Sequence, residues 1–139
     1  MAIPGRPQKP PGQAVNRNPK AHDWVDVPRI RYSGGPRMPS KSALGEPWHP
    51  WTKRWWRAVS TMPHCKFWDD EDWEFCLNTL AVVQKFNSGD MGVAAEMRNR
   101  EKIMGVTYES RMNLRIRYVD PPAAEQPADV AVMDDYRAI

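Results

Sequence analysis

The sequence predicts an all-α protein: a small protomer of about four helices that oligomerises, set between a basic N-terminal arm and an acidic C-terminal tail. Three observations lead there. Apolar residues from Trp48 onward recur at helical spacing. Helix start and stop residues, among them Pro50, Asp69, Gly89 and Gly105, divide that stretch. The N-terminal flank has no such periodicity. Residues 1–45 hold eight of the fourteen prolines and five of the eight glycines, a share at which chains without a repeat stay disordered.

Taken in order, the first helix starts at Pro50, whose fixed φ suits a first turn, and runs to about Ser60 before Pro63. Trp48, Trp51, Trp55, Ala58 and Val59 share one face of it, with Lys53, Arg54 and Arg57 opposite and Trp56 at the edge of the stripe. The second helix, about Asp70 to Phe86, has Asp69 as its cap and Trp68 with Trp73 as a hydrophobic staple. Asp70, Glu71 and Asp72 complement the positive end of its dipole. Trp73, Leu77 and Leu80 form one apolar stripe, flanked by Cys76 and Val83. Phe75, Val82 and Phe86 form another. A helix apolar on most sides is buried on most sides. Three short neighbours are too few to cover both stripes, so Phe75, Val82 and Phe86, with Trp56, are expected at a contact between copies. Ser88-Gly89-Asp90 turns into a third helix, about Met91 to Met104. A fourth is expected from about Tyr108 to Tyr118, stopped by Asp120-Pro121-Pro122.

The junction between the last two helices is the most specific part of the chain. Gly105 suits a left-handed C-terminal cap, which disfavours a Cβ. Thr107 is placed to cap the next helix, its hydroxyl accepting from the N–H of Glu109 or Ser110. The run Met104-Gly105-x-Thr107-x-x-x-Arg111 resembles the Leu/Met-Gly-x-Thr-x-x-x-Arg junction of the phage terminase small-subunit family. Glu46-Pro47-Trp48-His49-Pro50 through Trp55-Trp56 resembles the opening helix of actinobacterial-phage members. The resemblance covers residues 46–118.

Charge divides the chain in three. Residues 1–45 are a basic arm of net +6, residues 46–118 a helical oligomerisation core of net +1, and residues 119–139 an acidic tail of net −4. Such asymmetry suggests different partners at the two ends. No apolar stretch approaches a membrane span, and residues 1–10 lack the apolar region of a signal peptide. Cys65 and Cys76 are the only cysteines, too few for a disulfide framework, which fits a cytoplasmic setting.

The sequence offers no catalytic pattern. Four carboxylates at residues 69–72 sit where a helix N-terminus wants negative charge, and adjacent helical positions do not converge on one ion. His22, His49 and His64 accompany no nucleophile. Gly34-Gly35-Pro36 lacks the lysine and spacing of a phosphate loop. Cys65, Cys76 and His64 give neither the number nor the paired spacing of a zinc site. Neither enzyme activity nor a cofactor is expected.

Nucleic acid is the partner the arm suggests, because each cation that neutralises a phosphate releases counterions. The candidates are Arg6, Lys9, Arg17, Lys20, Arg29, Arg31, Arg37 and Lys41, then Lys53, Arg54 and Arg57 on the first helix. Trp24 and Tyr32 are available to stack. Six of the seven tryptophans lie between Trp48 and Trp73; their spacing reads as core packing before a base-stacking platform.

The resemblance implies more: a non-catalytic ring that recognises double-stranded viral DNA and regulates a large subunit bearing the ATPase and nuclease, in the host cytoplasm. Many relatives carry an N-terminal helix-turn-helix domain, for which residues 1–45 have neither periodicity nor room. In the tail, Val132, Met133, Tyr136 and Ile139 recur at near-helical spacing and are the candidate docking residues for the large subunit. The alternatives are a head-completion or connector ring and a dimeric transcription regulator.

Overall fold

The computed structural model describes residues 23–122. Helix α1 spans Pro50–Val59, and His49 caps it, its Nδ1 accepting from the Trp51 N–H at 3.1 Å. Its buried face is Thr52, Trp56, Val59 and the following Ser60. This corrects the expected stripe, which is rotated by about one residue, some 100° of helix. Trp51 is 58 % exposed while Trp56 is 7 % exposed and packs on Trp73 with ring centroids 6.4 Å apart. A buried polar contact fixes the rotation: Thr52 is fully buried, its Oγ1 accepting from Asn87 Nδ2 at 3.0 Å. Periodicity that ranks Trp above Thr does not anticipate such a bond.

A 3-10 turn at Pro63–Phe67 buries His64 and Cys65 and delivers the chain to α2, Asp70–Asn87. Here the local chemistry acts as expected. Asp69 and Asp72 form a reciprocal capping box, the Asp72 carboxylate accepting from the Asp69 N–H at 3.0 Å. Trp68 and Trp73 meet edge to face at 4.9 Å, closing the staple. α2 buries Trp73, Cys76, Thr79, Leu80 and Val83. Burial pushes both thiols, Cys65 and Cys76, up to about 12, so neither is reactive.

The third helix begins later than expected. Asp90 accepts from the Gly92 N–H at 2.9 Å, which tightens Met91–Val93 into a 3-10 turn before α3, Ala94–Met104. Gly105 then caps α3 in the left-handed conformation at φ 71°, and Thr107 accepts from the Ser110 N–H at 3.2 Å to open α4, Tyr108–Asn113.

Two expectations are corrected beyond this point. α4 ends after six residues instead of reaching Tyr118. Arg115 takes a positive φ of 58°, and strand β2 follows at Ile116–Val119. β2 pairs in parallel with β1, Val25–Pro28, in the register Val25 to Ile116 and Val27 to Tyr118. The chain is therefore mostly helical with a small two-stranded sheet, not purely α. Part of the expected arm packs on the helices. Val27 is fully buried, Tyr32 stacks on Trp73 at 6.1 Å, and the Trp48 Nε1–H donates to the Pro39 carbonyl at 2.6 Å. Residues from Val25 to Pro39 thus form part of the folded unit. Gly35 belongs to this overlay, since a Cβ there would come within 2.8 Å of the Trp73 ring.

Replacing Gly105 by Ala puts a Cβ in the left-handed region and within 3.1 Å of His64 Nε2. Gly105→Ala is expected to cost about 1–2 kcal/mol. Urea unfolding should show a lower midpoint at unchanged m.

Candidate nucleic-acid interface

β1 runs straight into an extended segment, tied back by the Arg29 N–H to the Val119 carbonyl at 2.8 Å and the Tyr32 N–H to the Thr61 carbonyl at 3.1 Å. Alternation along extended chain puts Arg29 and Arg31 on one side. Both line a groove of about 300 Å³ whose apolar lining includes Val59, Met62, Val106 and Tyr118 and whose third cation is Arg111. Among the described residues, no carboxylate lines it. Arg31 Nη1 donates to Thr61 Oγ1 at 2.8 Å, and that hydroxyl donates to the Arg57 carbonyl at 2.7 Å. The groove therefore abuts the C-terminal end of α1.

Arg111 is held differently. Its Nη1 donates to the Gly105 and Val106 carbonyls at 3.2 and 2.8 Å, and its guanidinium lies over the Tyr118 ring at 4.7 Å. The cation thus satisfies carbonyls at the end of α3, where positive charge is favourable. Beneath it, the His64 Nε2–H donates to the Met104 carbonyl at 2.7 Å, and Nδ1 accepts from the Tyr118 hydroxyl at 2.6 Å. The carbonyl can only accept, which sets this tautomer. Burial holds His64 below the usual histidine range against the opposing effect of the Met104 bond, and the Arg111 charge lowers it further. Burial likewise raises Tyr118.

The other expected DNA-binding residues are distributed. Lys53, Arg54 and Arg57 lie exposed on α1, and exposed Trp51 stands among them, its ring 5.3 Å from His49. Arg37 and Lys41 are exposed on the segment that meets the start of α1 through Pro39, separated from Arg31 by the helix length of about 15 Å. Arg6, Lys9, Arg17 and Lys20 lie outside the described residues, as do Val132, Met133, Tyr136 and Ile139.

Of the residues expected at a contact between copies, Trp56 is buried within the protomer. Phe75 is half-buried beneath the α3 guanidinium of Arg100, 5.1 Å from its ring, and Arg100 Nη1 also donates to Thr79 Oγ1 at 3.3 Å. α3 of the same chain therefore covers part of the second stripe. Val82 and Phe86 are half-buried. Among the described residues, no group of three His, Cys, Asp or Glu side chains is placed to hold a metal, and no helix is long and apolar enough to cross a membrane.

A family model for the phage terminase small subunit matches residues 3–139. The chain belongs to the phage terminase small-subunit family. No curated protein and no solved structure matches it. In this small subunit the junction motif is a structural device: Gly105 turns the chain, Thr107 restarts it, and Arg111 folds back onto the turn's carbonyls. Sequence reasoning quoted Arg111 only as part of the motif and did not place it in the basic surface. Its position one helical turn after the Thr107 cap was the available signal. It also sets His64 aside, weighing it only as a partner of a nucleophile or as a zinc ligand.

The His64 shift has a pH consequence. Its folded-state pKa is depressed, so its contribution is full above the unfolded value of about 6.5 and is lost as pH falls through the folded value. Thermal unfolding midpoints of the wild type should fall on acidification through that window. His64→Gln is expected to start lower and to show a shallower decline. Equal acid slopes in the two proteins would assign the loss to other groups.

Proposed function

We propose that this chain is the non-catalytic small subunit of a phage terminase. In this reading a ring of copies binds double-stranded viral DNA and regulates the ATPase and nuclease of the large subunit in the host cytoplasm. The observation that carries the reading is the family match over residues 3–139. The convergence of Arg29, Arg31 and Arg111 at a groove with no carboxylate among its described lining residues supports DNA as the ligand, as does the neighbouring basic face of α1. The resemblance of Glu46 through Trp56 to the opening helix of actinobacterial-phage members supports assignment to that branch.

Three features divide the labour. Arg29, Arg31, Lys53, Arg54 and Arg57 form the fixed phosphate-binding surface, with Trp51 as an exposed aromatic beside it. Residues 1–22 add Arg6, Lys9, Arg17 and Lys20 as a further basic arm. Val82 and Phe86 contribute to the contact between copies, with Phe75 already engaged by Arg100. Backbone contacts of this kind position a protein on DNA without reading bases.

If four to six phosphates are neutralised, the log–log salt dependence of binding is expected to have a slope of roughly −4 to −5. Arg29→Glu with Arg31→Glu should flatten that slope, while the same change at exposed Lys102 should leave it alone. Removing residues 1–22 tests the arm without cutting into β1. Unchanged affinity and slope in both variants would exclude this surface. Stimulation of the co-encoded large subunit's ATPase tests the regulatory part, and a connector protein would leave that rate unaltered.

Assembly is read from native mass. Burying one large apolar side chain contributes about 1.5–3 kcal/mol, so Val82→Asp with Phe86→Asp should give smaller species by light scattering at near-wild-type helicity. An unchanged mass would move the contact elsewhere.

A further inference from the structure

We propose that the groove between Arg29, Arg31 and Arg111 is a docking site for the chain's own acidic segment, residues 123–139, which seats an apolar side chain on the groove floor and its carboxylates on the arginines. The lining is amphipathic: Val59, Met62 and Val106 form an apolar floor, and every charged side chain among the described lining residues is a cation. A phosphate backbone would use the rim and leave that floor uncovered. An acidic peptide with apolar anchors would use both. At about 300 Å³ the groove is at the small end of ligand clefts, suited to one anchoring side chain and not to a duplex.

Residues 123–139 have the complementary chemistry. They hold Glu125, Asp129, Asp134 and Asp135 against Arg137, with Val132 and Met133 between the acids and Tyr136 directly after Asp135. They also start in the right place. Tyr118 lines the groove, β2 ends at Val119, and the described chain stops at residue 122. Seventeen further residues reach at most about 60 Å when extended, ample for a return to a groove this near. Tethering so close gives an effective concentration of the order of millimolar, so weak contacts suffice.

The docking stands on the groove and the charge pattern alone. Its consequence rests on the DNA reading above: a seated segment covers Arg29 and Arg31 and so competes with phosphates. It also sequesters Val132, Met133 and Tyr136, the residues expected to meet the large subunit. DNA binding would then release the segment for that partner. If the segment is seated about nine-tenths of the time, the apparent DNA dissociation constant is raised about tenfold.

The test uses the full chain. Arg31→Lys retains the charge and supplies an amine for zero-length carbodiimide coupling to a carboxylate. Mass spectrometry is expected to find position 31 joined to Glu125, Asp129, Asp134 or Asp135 of the same chain, and high salt should abolish the product. Mixing isotopically heavy and light protein identifies the donor chain. Products joining heavy to light would assign the groove to a neighbour's segment and overturn the intrachain proposal, as would the absence of any such product. The second arm neutralises the acids in full-length protein (Glu125→Gln, Asp129→Asn, Asp134→Asn and Asp135→Asn) and measures DNA binding at low salt. About tenfold tighter binding is expected from the occupancy above. Coupling with unchanged DNA affinity would keep the docking and reject the groove as a DNA surface.

Discussion

The imidazole of His64 is the point on which the fold closes. It comes from the 3-10 turn after α1, donates to the last carbonyl of α3 at Met104, and accepts from Tyr118 on β2. Three segments far apart in sequence thus meet on one neutral ring. Each bond replaces water for a group that burial would otherwise leave unpaired, and an unpaired buried polar group costs more than a satisfied one contributes. Gly105 makes the arrangement possible, because only a residue without a Cβ fits comfortably between that ring and Leu114 at φ 71°.

What His64 holds, it holds on behalf of the basic surface. Fixing Tyr118 fixes β2, and β2 is the one strand that pairs with β1 among the described residues. A two-stranded sheet is marginal by itself; here it is anchored from within by Val27 and spanned outside by the exposed Asp26 to Arg117 pair at 2.7 Å. That pair holds the Asp26 carboxyl below its usual range but is too exposed to be the main anchor. β1 in turn aims Arg29 and Arg31 across the end of α1. The groove's geometry is therefore set by a ring that does not line it.

Signals of short range were legible in the sequence, and those of long range were not. The Asp69 cap, the Trp68–Trp73 staple, the Gly105 cap and the Thr107 cap each involve residues within about five positions, where residue chemistry decides conformation. The strands pair across a separation of 91 residues, and nothing in either four-residue segment names the other. Ile116-Arg117-Tyr118-Val119 continues the apolar spacing of a helix while consisting largely of strand-favouring residues, so periodicity alone chose the wrong state. The exchange of Trp51 for Trp56 has the same root. Neighbouring tryptophans leave the phase of a helix ambiguous, and a buried Thr52–Asn87 bond, invisible to hydropathy, decided it. The basic residues were legible as a population, but not their grouping, which needed β1 and the end of α1 to meet.

Arg111 shows how assembly of the fold and placement of charge become one matter. Its guanidinium cannot leave the groove without stripping two carbonyls at the end of α3 and uncovering Tyr118. Its positive charge is therefore a constant of the surface, present whether or not a ligand is bound. Arg29 and Arg31 carry no comparable duty: the first is exposed, and the second is exposed with one surface bond to Thr61. Discrimination between competing anions must come from these two, since they can reorient at little cost to the fold. A fixed cation at the back and two adjustable ones at the rim make a surface that attracts anions and can exchange them without disturbing the fold.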